Sequence, residues 1–107
     1  MSTKYHEDLT AFQRDLLEAI ARIDRRDETP YGLGIARELE TDYDEVLHPR
    51  LYSNLDDLTT MGLVERSAVD NRTNRYDLTG DGRALLQERV ETLARSLGHR
   101  LDGGAAP

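Results

Sequence analysis

Arg50-Leu-Tyr-Ser-Asn-Leu-Asp-Asp-Leu-Thr-Thr-Met-Gly-Leu-Val64 carries two structural signals back to back. Leu51, Leu55 and Leu58, with Leu47 ahead of them, recur at helical spacing and predict one apolar helix face. Pro49 suits the first helical turn, where a missing N–H costs nothing. Gly62, just after Met61, is a C-terminal stop. The period then changes. Leu63-Val-Glu-Arg-Ser-Ala-Val69 reads as a strand, Asp70-Asn-Arg-Thr-Asn74 as a turn-rich tip and Arg75-Tyr-Asp-Leu78 as the return strand.

Working outward, Thr10 and Gln13 have capping-box spacing. Leu9, Phe12, Leu16, Ile20 and Ile23 follow at helical spacing, flanked by Leu17 and Ala21. Charge and Pro30 break that helix over 24–30. A shorter second helix is predicted from about Tyr31 to Asp42, with Leu33, Ile35, Ala36 and Leu39 inward, and a polar link over 41–45 leads to the third. Beyond the hairpin, Thr79 caps a last helix to about Leu101. Leu86, Val90, Leu93 and Leu97 form a two-heptad seam on it. That seam either meets a second copy, the reading favoured here, or packs onto its own domain.

The order helix, helix, helix, hairpin, helix predicts a mainly α protein with a small β-hairpin wing (α+β). It reads as a winged helix-turn-helix over 9–78 with a C-terminal dimerisation helix over 79–101. Residues 1–8 read as a polar arm and 102–107 as a frayed tail. In such a fold the third helix enters the major groove of DNA and the hairpin is the wing.

Composition sets bounds on chemistry. The chain of 107 residues has no Cys, which excludes disulfides, thiolate metal sites and Cys nucleophiles. It has no Trp, so the core is expected to be Leu/Ile/Ala-rich, with further burial from self-association. No apolar run approaches a membrane span, and the N-terminus lacks a signal-peptide apolar region; a cytoplasmic location is expected. The histidines make no ligand spacing, no carboxylate pair stands out, and Gly32-Leu-Gly34 lacks the remainder of a phosphate loop. Neither an enzyme nor a cofactor is expected.

The net charge is −7, and Lys4 is the single Lys among 14 basic residues. Acidity argues against a nucleic-acid partner at face value. Many carboxylates with almost no Lys also describes proteins of salt-in halophiles, whose carboxylates hold water and cations. On that reading the acidity reports the solvent; the alternative is an ordinary acidic mesophilic protein.

Three motifs together resemble the PadR-type regulators. Pro30-Tyr-Gly-Leu-Gly-Ile-Ala-Arg-Glu-Leu39 is similar to the family's second-helix signature. The 50–64 stretch is similar to its recognition helix, and Arg72-Thr-Asn-Arg-Tyr-Asp-Leu-Thr-Gly-Asp-Gly-Arg83 to its wing exit. The resemblance covers about 9–97. It implies a homodimeric transcription factor, often a repressor, joined through its last helix. The His48-Pro49-Arg50 helix start departs from the family pattern. This would be a short member, without the aromatic cluster that drug-binding members carry in the last helix.

With the leucines inward, Arg50, Ser53, Asn54 and Asp57 are expected to project outward. Arg50 suits a guanine or a phosphate, Asn54 an adenine and Ser53 either role. The helix start at His48 offers N–H groups to a phosphate. Tyr52 either donates to a phosphate or packs against the first helices. Residues 46–55 contain Arg50 and no acid. The wing supplies Arg66, Arg72 and Arg75 against Asp70, a local excess of two positive charges in an acidic chain. Arg72 is a candidate for the minor groove or its flanking phosphates. Asn74 is a further candidate, although it, Asn71 and Thr73 also serve as turn formers. Phe12, Leu16, Leu86, Val90, Leu93 and Leu97 are the candidate dimer interface. The expected partners are double-stranded DNA with a pseudo-palindromic operator, a second copy of the chain and inorganic cations at high salt, with no membrane. A winged-helix protein-interaction module is the alternative.

Overall fold

Thr10 starts the first helix as its spacing predicts. Its hydroxyl accepts from the Gln13 N–H, and the Gln13 side chain accepts from the Thr10 N–H, both at 3.1 Å. Two of the four N–H groups orphaned at a helix start are thereby satisfied. In the computed structural model, which describes residues 9–99, this helix is α1 (Ala11–Arg25). It buries Phe12, Leu16, Leu17, Ala19, Ile20 and Ile23. Helix α2 (Gly32–Leu39) follows, then α3 (His48–Thr60), strands β1 (Val64–Ala68) and β2 (Asn74–Leu78), and α4 (Gly80–Ser96).

The strands form one antiparallel hairpin with Val64 opposite Leu78 and Arg66 opposite Tyr76. Its tip closes where the Val69 N–H donates to the Thr73 carbonyl. A third segment joins it: Tyr31 bridges to Arg75, and the Tyr76 N–H donates to the Pro30 carbonyl. The residues that launch α2 are thus fastened to the wing.

The core lies where α1, α2 and α3 meet. Leu16, Leu17 and Ile20, Ile35 and Leu39, and Leu51, Leu55 and Leu58 are each less than 2% exposed. Full burial of such a side chain is worth about 1.5–3 kcal/mol. Polar ties brace the periphery. Arg26 and Arg22 both donate to Glu38 at 2.8 Å, joining α1 to α2. These hydrogen bonds, Arg26 first, hold the Glu38 carboxyl down at about 2. Arg83 reaches Asp24 at 2.8 Å and ties α4 to the end of α1.

Several expectations are corrected. Helix α2 stops at Leu39, short of Asp42. Leu33 points outward with 49% exposure, because only one side of so short a helix meets the core. Leu47 sits at the N-cap of α3, ahead of its apolar stripe, and is exposed. Helix α4 ends at Ser96 and not near Leu101; Gly98, at φ +76, supplies the left-handed residue after its C-terminus. Phe12 and Leu16 are 4% and 0% exposed within this chain, so their side chains are spent on its own core and leave almost nothing to offer a second copy. The expected arm at 1–8, the tail at 102–107 and residues 100–101 of the last helix lie outside the described residues.

The start of α4 is tightly seated on the strand-entry turn. The Thr79 hydroxyl accepts from the Gly82 N–H and donates to the Gly62 carbonyl at 2.7 Å. A Cβ on Gly82 would fall 2.2 Å from the Leu63 carbonyl oxygen, a backbone atom held by the hairpin. A Cβ on Gly34, inside α2, would meet nothing within 4 Å. Gly82→Ala is therefore expected to cost about 1–3 kcal/mol of stability. Gly34→Ala should gain about 0.5–1 kcal/mol. Chemical denaturation in KCl checks both signs, and equal effects would contradict this seating of α4.

Candidate nucleic-acid interface

Helix α3 and the wing lie side by side, linked by Tyr52. This side chain is half-buried against the core. Its ring is 6.5 Å from Tyr76 of β2 and 6.2 Å from His48. It also lies directly on Gly32: a Cβ there would meet the Tyr52 hydroxyl oxygen at 2.4 Å. That contact is the physical reason for a glycine beside Tyr31 at the head of α2. Burial pushes the Tyr52 hydroxyl above its usual range. Of the two readings of Tyr52, packing is the one the geometry carries.

Residues at the start of α3 divide into two groups. His48 and Ser53 are exposed, and no acid occurs between 46 and 55. Asn54 and Arg50 face α1. Asn54 accepts from Gln13 Nε2 at 3.0 Å and donates to the Arg50 carbonyl at 2.8 Å. Gln13 is itself buried. One relay therefore runs from the N-cap of α1 through Gln13 and Asn54 to the first turn of α3. The outward, adenine-reading Asn54 of the sequence analysis is corrected, because both ends of its amide are used inside the protein.

The Arg50 guanidinium lies 3.8 Å from the centre of the Phe12 ring and 5.9 Å from that of Tyr43. Phe12 and Tyr43 meet edge-on at 5.5 Å, and the Tyr43 hydroxyl donates to Asp15. An exposed cation–π contact of this kind is worth about 0.5–1 kcal/mol. It is weak enough for a phosphate to compete for the same guanidinium. Arg50 thus borders the face instead of standing free on it.

The wing cations also differ among themselves. Arg75 makes two hydrogen bonds to Asp77, at 2.8 and 3.0 Å. Arg66 pairs with Asp56 at 3.2 Å, both side chains half-exposed or more. Among the described residues no carboxylate pairs with Arg72, at the tip. Its backbone N–H donates to Asp70, and that bond holds the Asp70 carboxyl below its usual range. Asn74 is exposed beside it.

A cleft of about 510 Å³ separates the wing from the start of α2. Arg37, Arg72, Thr73, Asn74, Tyr31 and Tyr52 are among its walls. Sequence reasoning did not single out Arg37. Its place four residues after Leu33, which the sequence reads as inward, gave no signal of an outward face.

Apart from Phe12 and Leu16 of α1, the candidate dimer residues fall on α4 and, for Leu97, at its C-cap. Leu86 is partly buried against the core, while Val90, Leu93 and Leu97 are 49%, 60% and 63% exposed. Leu86, Val90 and Leu93 line a second, shallower cleft against Glu18, Ala21 and Arg22 of α1.

Three helices, a hairpin wing and an exposed helix start beside that wing define a winged helix-turn-helix protein. The model of the transcriptional regulator PadR-like family matches residues 22–88. The chain belongs to this family and is a DNA-binding transcription regulator. A complex structure of RosR from H. salinarum is 46% identical, covering 84% of this chain and 77% of RosR, with a TM-score of 0.76. H. salinarum RosR grown from NaBr is 45% identical over 89% of this chain and 83% of its own, with a TM-score of 0.77. BpsR of Bordetella bronchiseptica shares the fold, at 24% identity over 92% of this chain and 64% of BpsR, with a TM-score of 0.62. No curated protein sequence matches. The family is one of transcriptional regulators, not enzymes. Among the described residues no helix is long and apolar enough to cross a membrane.

Asn54→Ala would leave the buried Gln13 amide without its acceptor. It should cost about 1–3 kcal/mol of stability. Ser53→Ala, one residue earlier but exposed, should stay within about 0.5 kcal/mol of the parent. Thermal unfolding of the two variants decides the point. An Asn54→Ala variant as stable as Ser53→Ala would return Asn54 to the DNA side.

Proposed function

We propose that this regulator binds DNA as a homodimer joined through α4, recognises an inverted-repeat operator, and works at high salt, acting as a repressor in the cytoplasm. The observation that carries the dimer is the row Val90, Leu93 and Leu97. These large apolar side chains stand half or more exposed at spacings of three and four along one helix face. A second copy of the same helix presents a matching seam. Sharing it also compensates for the small core of a domain this size. Two-fold symmetry then sets two α3 helices toward successive major-groove faces, with half-sites about one helical turn apart.

On this reading His48 and Ser53 face the bases or the nearest phosphates, Arg50 leaves Phe12 for the DNA backbone, and Arg72 with Asn74 follows the wing toward the minor groove. Arg66 and Arg75 serve DNA only after exchanging their carboxylate partners for phosphate. The exposed ion pair of Arg66 is the cheaper of the two to give up. High-salt operation is supported by the net charge of −7, the single Lys, and the likeness to a RosR from a halophilic archaeon. Carboxylates beside the interface, such as Asp56, Asp57 and Asp70, would take up cations as DNA approaches. This uptake would offset the counterions that DNA releases.

The test combines association with DNA binding in multimolar KCl. The parent should sediment as a dimer and bind a duplex selected from a random pool, and the selected sites should show two-fold symmetry. Leu93→Asp should give monomers or unfolded chain and lose tight binding. A dimer mass unchanged by Leu93→Asp would remove the α4 seam from the account.

A further inference from the structure

We infer that the cleft between α2 and the wing seats a backbone phosphate of the duplex, with Arg37 as a DNA contact that belongs to neither α3 nor the wing. The inference rests on the DNA-binding reading and extends it to a third element.

Charge is the first argument. Arg22, Arg26, Arg66, Arg75 and Arg83 each lie within 3.3 Å of a carboxylate oxygen. Arg37 and Arg72 have no such partner among the described residues, as is also true of Arg14, Arg25, Arg50, Arg89 and Arg95; what sets these two apart is that both line this one cleft. No Asp or Glu lines it. In a chain of net charge −7, an acid-free concavity holding two uncompensated guanidinium groups is a local focus of positive potential. Guanidinium also has the planar donor geometry that grips two phosphate oxygens at once.

Position is the second argument. One wall is Tyr52 of α3, another is the wing at 72–74, and the floor is the head of α2. With α3 in the major groove and the wing over the adjoining minor groove, the strand that separates those grooves must cross between them. The cleft borders both, with Tyr52 of α3 and residues 72–74 of the wing among its walls. Gly34 lines it, and the space within 4 Å of where its Cβ would be is open. Rigidity is the third argument. Arg72 rides on a hairpin tip, whereas Arg37 is rooted in a helix whose entry is fastened to β2 through Tyr31 and Pro30. Arg37 therefore sets the register of the backbone against α3, and Arg72 adapts to it.

The experiment measures anisotropy of labelled duplexes with the full chain at several KCl concentrations. The probes are a random-sequence duplex and one selected by the parent chain from a random pool. Arg25 supplies the control: it too lacks a carboxylate partner among the described residues, and it does not line the cleft. Arg37→Ala should weaken both duplexes alike, by about fivefold or more. It should shift the slope of log affinity against log KCl in the positive direction by about 1. Arg37→Lys, which keeps the charge, should retain part of the affinity. Arg25→Ala should stay within about twofold of the parent, since it removes the same charge elsewhere. If the parent binds and Arg37→Ala matches Arg25→Ala, the phosphate seat is wrong while the DNA-binding reading stands. If Arg37→Ala weakens only the selected duplex, Arg37 reads a base and the phosphate seat is again wrong. If the parent binds neither duplex, both fail. Arg37 is exposed, so unchanged thermal unfolding of the variants should accompany every measurement.

Discussion

Leu51, Leu55 and Leu58 are pressed into the core shared by α1 and α2, and the orientation of the proposed DNA face follows from that burial. Three leucines without exposed surface contribute about 1.5–3 kcal/mol each. The polar contacts around α3 are individually smaller: about 0.5–1 kcal/mol for Arg50 on Phe12 and at most about 1 kcal/mol for Arg66 with Asp56. The leucines therefore set the roll of α3. Its roll decides which side chains face out, and the Gln13–Asn54 relay fixes the angle of the first turn. Tyr52 on Gly32 then locks the neighbouring α2 and wing to the same frame.

Much of this was legible in the sequence because it is local. The Thr10–Gln13 capping box, the leucine period, the switch to strand after Gly62 and the Thr79 cap all depend on residues within a few positions of one another. What was misread depends on partners far along the chain. Asn54 sits on the edge of the leucine stripe, where a polar residue reads as solvent-facing. Its partner, the buried Gln13, lies on another helix. Arg50 finds an aromatic ring on that same helix. Two features lay within reach of local reading. Arg75 and Asp77 are two apart on a strand and so share a face. Gly98 is a helix stop of the same kind as Gly62. Phe12 and Leu16 were assigned to a dimer interface because their apolar period does not say which neighbour covers it.

The charge pattern shows how an acidic protein retains a cationic face. Carboxylates at Glu38, Asp24 and Asp77 are spent on arginines of the scaffold or the wing base. The acid-free segment 46–55 and the cleft with Arg37 and Arg72 keep theirs unspent. A net charge of −7 therefore coexists with acid-free regions that keep arginines without a carboxylate partner among the described residues.

In the proposed arrangement α3 and the wing meet DNA while α4 joins two copies. Amide hydrogen exchange in multimolar KCl, with and without a selected duplex, tests this most directly. Exchange should slow on adding DNA over the backbone of 48–53 and 69–75. The 86–97 stretch should be protected equally in both samples if it joins two copies before DNA arrives. Protection by DNA confined to 86–97, with 48–53 and 69–75 unchanged, would contradict the account.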